Sequence, residues 1–289
     1  LLKMEYAWAD VSTDESRQNL HLFTPEGELV EGRLRTFSGT TEVASNYVVH
    51  DKTVTFQIGS YDKTKDLVID PPLANLWGTY FGGSVWEKNT DIKHDIDALG
   101  NLFLTCNTLS TDFPMLNPGG GAYFDGTYGG GGVNNSGKGG DLVMSKFSNT
   151  GVLLWSTYVG GTGDDNGVAL ACDANNEVWV TGCSMSGNFP TLAWGSAYYQ
   201  NTFGGGATTT FEGGDAVMLK FDNNGVMQWS TYFGGSASEM AFSMDNDPSG
   251  NIWVTGRTAS ANFPVQNIGG SAYYQGTFGG IADAFIMKF

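Results

Sequence analysis

The stretch DAVMLKFDNNGVMQWSTYFGG, residues 215–235, reads as two short β-rich runs joined by an Asn-Gly turn, the signature of a β-hairpin. It is not alone. DLVMSKF begins at 141 and DAFIMKF at 283, while LWGTYFGG (76–83) and LWSTYVGG (154–161) restate the second run. A third marker follows the same spacing: DALGNLFLTCNTLSTDFP from 97, DANNEVWVTGCSMSGNFP from 173 and DPSGNIWVTGRTASANFP from 247. The tryptophans at 77, 155 and 229 and the aspartates at 97, 173 and 247 independently give a period of about 75 residues.

One unit reads as strand, Asn-Gly turn, strand ending in Gly-Gly, short polar connection, strand, Ser-Gly or Asn-rich turn, strand, and then a long glycine-aromatic loop. That is a four-stranded antiparallel meander per repeat. VWV at 178–180 and IWV at 252–254 are apolar at every position, so both faces of these sheets call for cover. Sheets covered on both sides by copies of themselves are β-propeller blades. The expected fold is therefore all-β, a propeller of four-stranded antiparallel blades preceded by a small β-rich domain and forming an incomplete part of a larger propeller. The expected boundaries are 1–74 for the N-terminal domain and 75–289 for the repeats. Within the repeats, 75–108 reads as a partial blade, 141–185 and 215–259 as full blades, and 283–289 as the first strand of the next.

Composition agrees with the fold class. The 289 residues hold 42 Gly, 18 Phe, 12 Tyr and 8 Trp against 15% charged residues, which favours many short strands and tight turns. Thirty acidic and 14 basic residues give a net charge of −16, which repels phosphate backbones and argues against nucleic acid as a partner. No run approaches the ~20 apolar residues of a membrane helix, so direct membrane insertion is not expected. The start LLKMEYAWAD and the end DAFIMKF suggest a piece of a longer chain. Cys106, Cys172 and Cys183 lack metal or redox spacing and read as small core residues.

The combination WSTYFGG, DPSGNIWVTGRT, NFP and DAFIMKF resembles the bacterial beta-propeller repeat known as SBBP, the seven-bladed beta-propeller repeat. GSYDKTKDLVIDP followed by WGTYFGG is similar to the end of the β-rich domain of unknown function that commonly precedes those repeats. The resemblance implies a large, exported, multidomain protein of the cell surface or extracellular space, often with a sorting domain for type IX secretion or a similar route. It supplies no catalytic residues to carry over.

A residue present in every copy serves the blade, because an active site is normally built once. Tyr80, Tyr158 and Tyr232, Asp97, Asp173 and Asp247, and Lys146, Lys220 and Lys288 fall on the structural side. His94 is unrepeated. It aligns with Leu170 and Met244 and sits in DIKHDID near Asp91, Asp95 and Asp97, where it reads as a core or channel histidine in preference to a metal ligand. Alternation places Asp95 on the opposite strand face.

Glu87, Asp165 and Glu239 recur four residues after the second glycine of each YFGG-type motif, and they are the calcium candidates; no other cofactor is implied. No D-x-D-x-D-G loop accompanies them. The loops GAYFDGTYGG (121–130), SAYYQNTFGG (196–205) and SAYYQGTFGG (271–280) read as covers for a blade edge. Their Tyr123, Tyr198 and Tyr273 are the candidates for stacking on glycans. The glycine runs at 129–132 and 204–206 lack a following Lys-Ser/Thr and read as flexible loop.

The expected function is a non-catalytic scaffold at the cell surface, for adhesion or interaction with other surface proteins or glycans. A carbohydrate-binding module or carbohydrate-active enzyme is the first alternative. A surface filament subunit that self-associates through open strand edges is the second.

Overall fold

The structure, a computed structural model, describes residues 3–7, 9–25, 27–70, 77–131, 140–206 and 214–289. The expected domain boundary after residue 74 falls outside the described residues. The chain divides into two compact units, Leu1–Thr79 and Tyr80–Phe289.

Among the described residues the first unit has nine strands: β1 (Lys3–Glu5), β2 (Asp10–Thr13), β3 (Leu20–Thr24), β4 (Gly27–Glu31), β5 (Arg35–Ser38), β6 (Thr41–Val43), β7 (Ser45–His50), β8 (Thr53–Ile58) and β9 (Leu67–Asp70). They form three small sheets, β1-β8-β7, β2-β3-β4 and β6-β5-β9. Leu20, Leu22, Leu34, Tyr47 and Val54 are buried together at its core. Alternation does the work here: Leu20 and Leu22 point inward from β3, while Phe23 is exposed.

The second unit is a series of antiparallel sheets. The first contains β10 (Glu87–Ile96), β11 (Leu102–Thr108), β12 (Asp141–Phe147) and β13 (Leu153–Val159) in that order. The second contains β14 (Asp165–Cys172), β15 (Val178–Ser184), β16 (Asp215–Phe221) and β17 (Met227–Phe233). The third has three strands, β18 (Glu239–Asn246), β19 (Ile252–Thr258) and β20 (Asp283–Lys288). The described residues contain no helix, and the sheets close into no barrel. This is the all-β, incomplete propeller that the repeats call for.

The grouping of strands into blades is a correction. The reading of 141–185 and 215–259 as full blades put the long loop between blades, but it lies within each blade. β11 pairs with β12 across residues 109–140, from Leu102↔Phe147 to Thr108↔Asp141. β15 pairs with β16 across 185–214 in the same way. The short Gly-Gly connections at 160–164 and 234–238 join one sheet to the next. Residues 87–108 are accordingly half of a complete sheet, and 283–288 is a third strand, paired with β19.

The physical reason lies in the loops. Leu116 and Ser156 exchange both backbone hydrogen bonds at 3.0 Å, as Leu192 and Ser230 do at 2.9 Å, so each loop runs back along the outer strand of its own sheet. Trp155 and Trp229 donate their indole N–H to the carbonyls of Tyr123 and Tyr198 at 3.0 Å. The fourth strand thereby loses its open edge. The loops begin and end beside each other, which brings the second and third strands into register.

Successive sheets stack face to face. Phe103, Leu142, Met144 and Trp155 of the first pack on Leu170, Val180, Leu219 and Phe221 of the second. Trp179, Met218, Trp229 and Phe233 pack in turn on Val254, Phe263 and Phe285 of the third. Contacts between sheets gather at the first strands, β10 on β14 and β14 on β18, so the sheets fan out as blades do. Val178, Trp179 and Val180 are all buried, as their uniform apolarity implies. Trp253, on a face that no further sheet covers among the described residues, is 41% exposed.

WGTYFGG at 77–83 forms no strand, although its sequence matches β13 and β17. Tyr80 is fully exposed, whereas Tyr158 is buried, its hydroxyl donating to the Ser110 carbonyl at 2.6 Å and accepting from the Phe113 amide at 3.3 Å. The motif becomes a strand only where a DxxMxKF strand precedes it. Tyr158→Ala should therefore cost about 3–5 kcal/mol in denaturant unfolding, and Tyr80→Ala should stay within about 0.5 kcal/mol.

Candidate functional site

Each junction between sheets is stitched at both ends. At the turn end, Asp97 accepts the Leu99 and Asn101 amides at 2.9 and 2.8 Å and the Asn223 side-chain amide at 2.7 Å, the last from the next sheet. Asp173 and Asp247 hold their own turns in the same way. Lys146 reaches the Asn223 carbonyl of the next sheet at 2.7 Å with its ammonium over the Phe103 ring, and the Asn246 side-chain amide donates to the Cys172 carbonyl at 2.9 Å across the second junction. Lys220 pairs with Glu177 at 2.7 Å above Trp179 within its own sheet. These repeated residues do the architectural work expected of them.

At the opposite end lie the recurring carboxylates. Glu87, Asp165 and Glu239 each accept the amide of the second glycine of their YFGG-type motif, Gly83 at 2.8 Å, Gly161 at 2.7 Å and Gly235 at 2.8 Å. A hydroxyl adds to each: Ser110 on Glu87 at 2.6 Å, Ser186 on Asp165 at 2.7 Å, Thr258 on Glu239 at 2.6 Å. The three carboxylates stand at the starts of three different sheets and so do not gather around one ion.

Their partners were missed. Asp141 and Asp215, the first residues of β12 and β16, anchor the returning loops by accepting the amides of Gly129 at 2.6 Å and Gly204 at 2.7 Å. Asp141 meets Asp165 across the first junction, and Asp215 meets Glu239 across the second. A methyl group on Gly160 would lie 3.1 Å from Asp141 Oδ1 and 2.8 Å from Asp165 Oδ2. One on Gly234 would lie 2.7 Å from Glu239 Oε2 and 2.8 Å from Asp215 Cγ. Only glycine leaves room for these pairs. The signal was in the sequence, since an aspartate opens every DxxMxKF copy.

Burial, with Asp165 nearby, pushes the Asp141 carboxyl up to about 7, and burial beside Glu239 does the same to Asp215. Burial also raises Asp165, to about 6. By contrast, hydrogen bonds hold Asp247 down to about 2.

His94 pairs across the strand with Leu104, as Leu170 does with Val180 and Met244 with Val254, which is the register expected. It is not a core histidine, however. It is exposed, because no other sheet of the second unit packs on the face of the first sheet that carries it among the described residues. Ile92 and Ile96, on the same face, are exposed too. Asp95 points the other way and accepts the Cys172 amide at 2.8 Å. The side chain of Asp91 lies outside the described residues.

The three loop tyrosines differ in setting. Tyr123 is half-buried, with its amide donating to the Gly225 carbonyl of the next sheet at 2.8 Å and its ring 6.3 Å from that of Phe221. Tyr198 is 37% exposed and Tyr273 90% exposed. They occupy separate loops, and the extent to which each is covered tracks how much of a neighbouring sheet it meets. Over their described parts the glycine runs lie close to other backbone: 129–131 against the carbonyls of 161–163 and 204–206 against those of 235–237. Residue 132 lies outside the described residues. Cys106 and Cys183 are buried and Cys172 half-buried, all three as free thiols.

The sheets and their junctions define an incomplete β-propeller whose repeated polar residues hold blade to blade. Comparison with family models agrees. Residues 228–264 match the beta-propeller repeat (SBBP), and residues 1–72 match a domain of unknown function (DUF7948). None of the curated proteins matches the chain. The matched repeat runs from β17 to the start of the third loop, so the sequence repeat straddles two structural blades.

A carboxyl whose folded value is raised contributes stability that is fully present below its unfolded value of 3.8 and lost as pH rises through its folded value. In metal-free buffer, the melting temperature should fall between about pH 4 and pH 7. Asp97 and Asp247, held low, act in the opposite sense but below that window. Replacing Asp141 and Asp215 together by Asn should flatten the decline, as followed by circular dichroism melts.

Proposed function

We propose that this chain is the repeat-bearing part of a non-catalytic exported protein that serves as a cell-surface or extracellular scaffold for adhesion or protein interaction. The observation that carries this reading is the aromatic surface of the ordered loops. Trp194, Tyr198 and Tyr199 on the second sheet's loop and Ile268, Tyr273 and Tyr274 on the third's are all more than a third exposed. The second sheet's loop is tied down along its outer strand through Leu192 and Ser230, so its aromatics are presented on a fixed support, and exposed apolar surface of this kind marks interaction sites. Tyr158 and Tyr232, the turn aspartates and Lys146 and Lys220, meanwhile, are engaged within the blades.

Export and surface display rest on the resemblance to the SBBP repeat. The acidic composition favours solubility and argues against nucleic acid as a partner. Stacking on glycans is the alternative that the same aromatics support.

The test is binding of the purified chain to intact cells that produce it, and to a glycan array. Replacing Trp194, Tyr198 and Tyr199 together by Ala should weaken cell binding at least about tenfold, as loss of interface anchors does, with little change in melting temperature. Unchanged binding contradicts the aromatic-surface reading. Glycan retention lost on replacing Tyr123, Tyr198 and Tyr273 selects the alternative. Turnover of a polysaccharide or peptide would overturn the non-catalytic assignment.

A further inference from the structure

The carboxylate pairs at the junctions between sheets have a charge problem that the rest of the fold does not solve. Asp141, Asp165, Asp215 and Glu239 are each no more than 1% exposed. Among the described residues, no lysine or arginine forms an ion pair with any of them. Two ionised carboxylates facing one another out of water are strongly unfavourable, and the pair is relieved either by a proton on one of them or by a cation that joins them. Moreover, Oδ1 of Asp141, of Asp165 and of Asp215 is buried without a hydrogen-bond partner. Buried acceptors are nearly always satisfied, so orphan oxygens at equivalent places in two successive junctions call for a common explanation.

The orphan oxygen of Asp141 is aimed into the junction. Asp141 Oδ1 borders the same small space as Asp165 Oδ2, beside Gly160. A backbone carbonyl lies near one carboxylate of each pair: that of Gly161 near the Asp141 Oδ2 that accepts the Gly129 amide, and that of Gly235 near the Asp215 Oδ2 that accepts the Gly204 amide. Hydroxyls of Ser186 and Thr258 border Asp165 and Glu239. The donors are carboxylate, carbonyl and hydroxyl oxygens, the hard set that suits Ca²⁺ over softer metals.

We propose that the pairs Asp141–Asp165 and Asp215–Glu239 are each a Ca²⁺ site that ties one blade to the next. No group of three or more His, Cys, Asp or Glu in metal-holding geometry occurs among the described residues. Each site therefore has two carboxylates and draws its other ligands from backbone and hydroxyl oxygens. Glu87 and Asp283 have no counterpart across a junction, because each stands at an end of the series of sheets. The chain should thus bind two ions, and the count follows from the number of complete junctions, not from its total negative charge.

The experiment is equilibrium dialysis of the full chain against radioactive Ca²⁺ after stripping with EDTA, with thermal melts in parallel. The expected result is saturable uptake of two ions per chain and a melting temperature raised by Ca²⁺. Asp141→Asn should remove one ion, and Asp141→Asn with Asp215→Asn should remove both and abolish the thermal response. Asparagine keeps the oxygen that accepts the Gly129 or Gly204 amide, so the variants should retain the wild-type circular dichroism spectrum. No saturable uptake by the wild-type chain overturns the proposal, whatever the variants do. So does uptake that the double substitution leaves unchanged, which would be diffuse binding to an acidic surface.

Discussion

Everything in the repeat unit depends on the pairing of the second strand with the third across the long glycine-aromatic loop. β11 with β12 and β15 with β16 are each in register over seven residues, from Leu102↔Phe147 to Thr108↔Asp141 and from Val178↔Phe221 to Ser184↔Asp215. Closing a long loop costs little more than closing a medium one, because the entropy penalty grows only logarithmically with length. The return is large: the loop covers the outer strand, Trp155 and Trp229 find partners for their indoles, and the aspartate opening the third strand fastens the loop's end.

The same aspartate brings its carboxylate to the junction with the following sheet. One residue thus couples loop closure within a blade to contact between blades. The glycines make this geometry available. A side chain on Gly161 would collide with Ser186 and Asn188, and one on Gly235 with Ser260 and Asn262, so the connection between sheets passes only as bare backbone. The result is a modular object in which each blade contributes half of two junctions, as expected of repeat architectures that gain stability from nearest neighbours.

The strands themselves were legible in the sequence, because apolar runs and the recurrence of Trp, Asp and Lys mark their positions directly. Their grouping was not. Local turn chemistry favours joining strands separated by few residues, and the five residues at 160–164 look like a shorter link than the loop at 109–140. Which strands pair is decided by side-chain and loop packing at long range, which periodicity does not encode. For the same reason WGTYFGG at 77–83 reads as a strand and is not one: a strand exists only beside a partner. At the junctions, Glu87, Asp165 and Glu239 were visible as a recurring set. Asp141 and Asp215 served only as markers of period, since nothing local shows that a strand's first residue reaches the next blade. His94 takes the register of Leu170 and Met244 but is exposed, because burial depends on a neighbouring sheet as well as on register.

The most direct measurement is the pattern of amide-to-amide nuclear Overhauser effects in deuterated protein. The account predicts a continuous antiparallel ladder between residues 102–108 and 141–147, repeated between 178–184 and 215–221, and none between 153–159 and 165–172. A ladder joining 153–159 to 165–172, with none across the long loops, would contradict it.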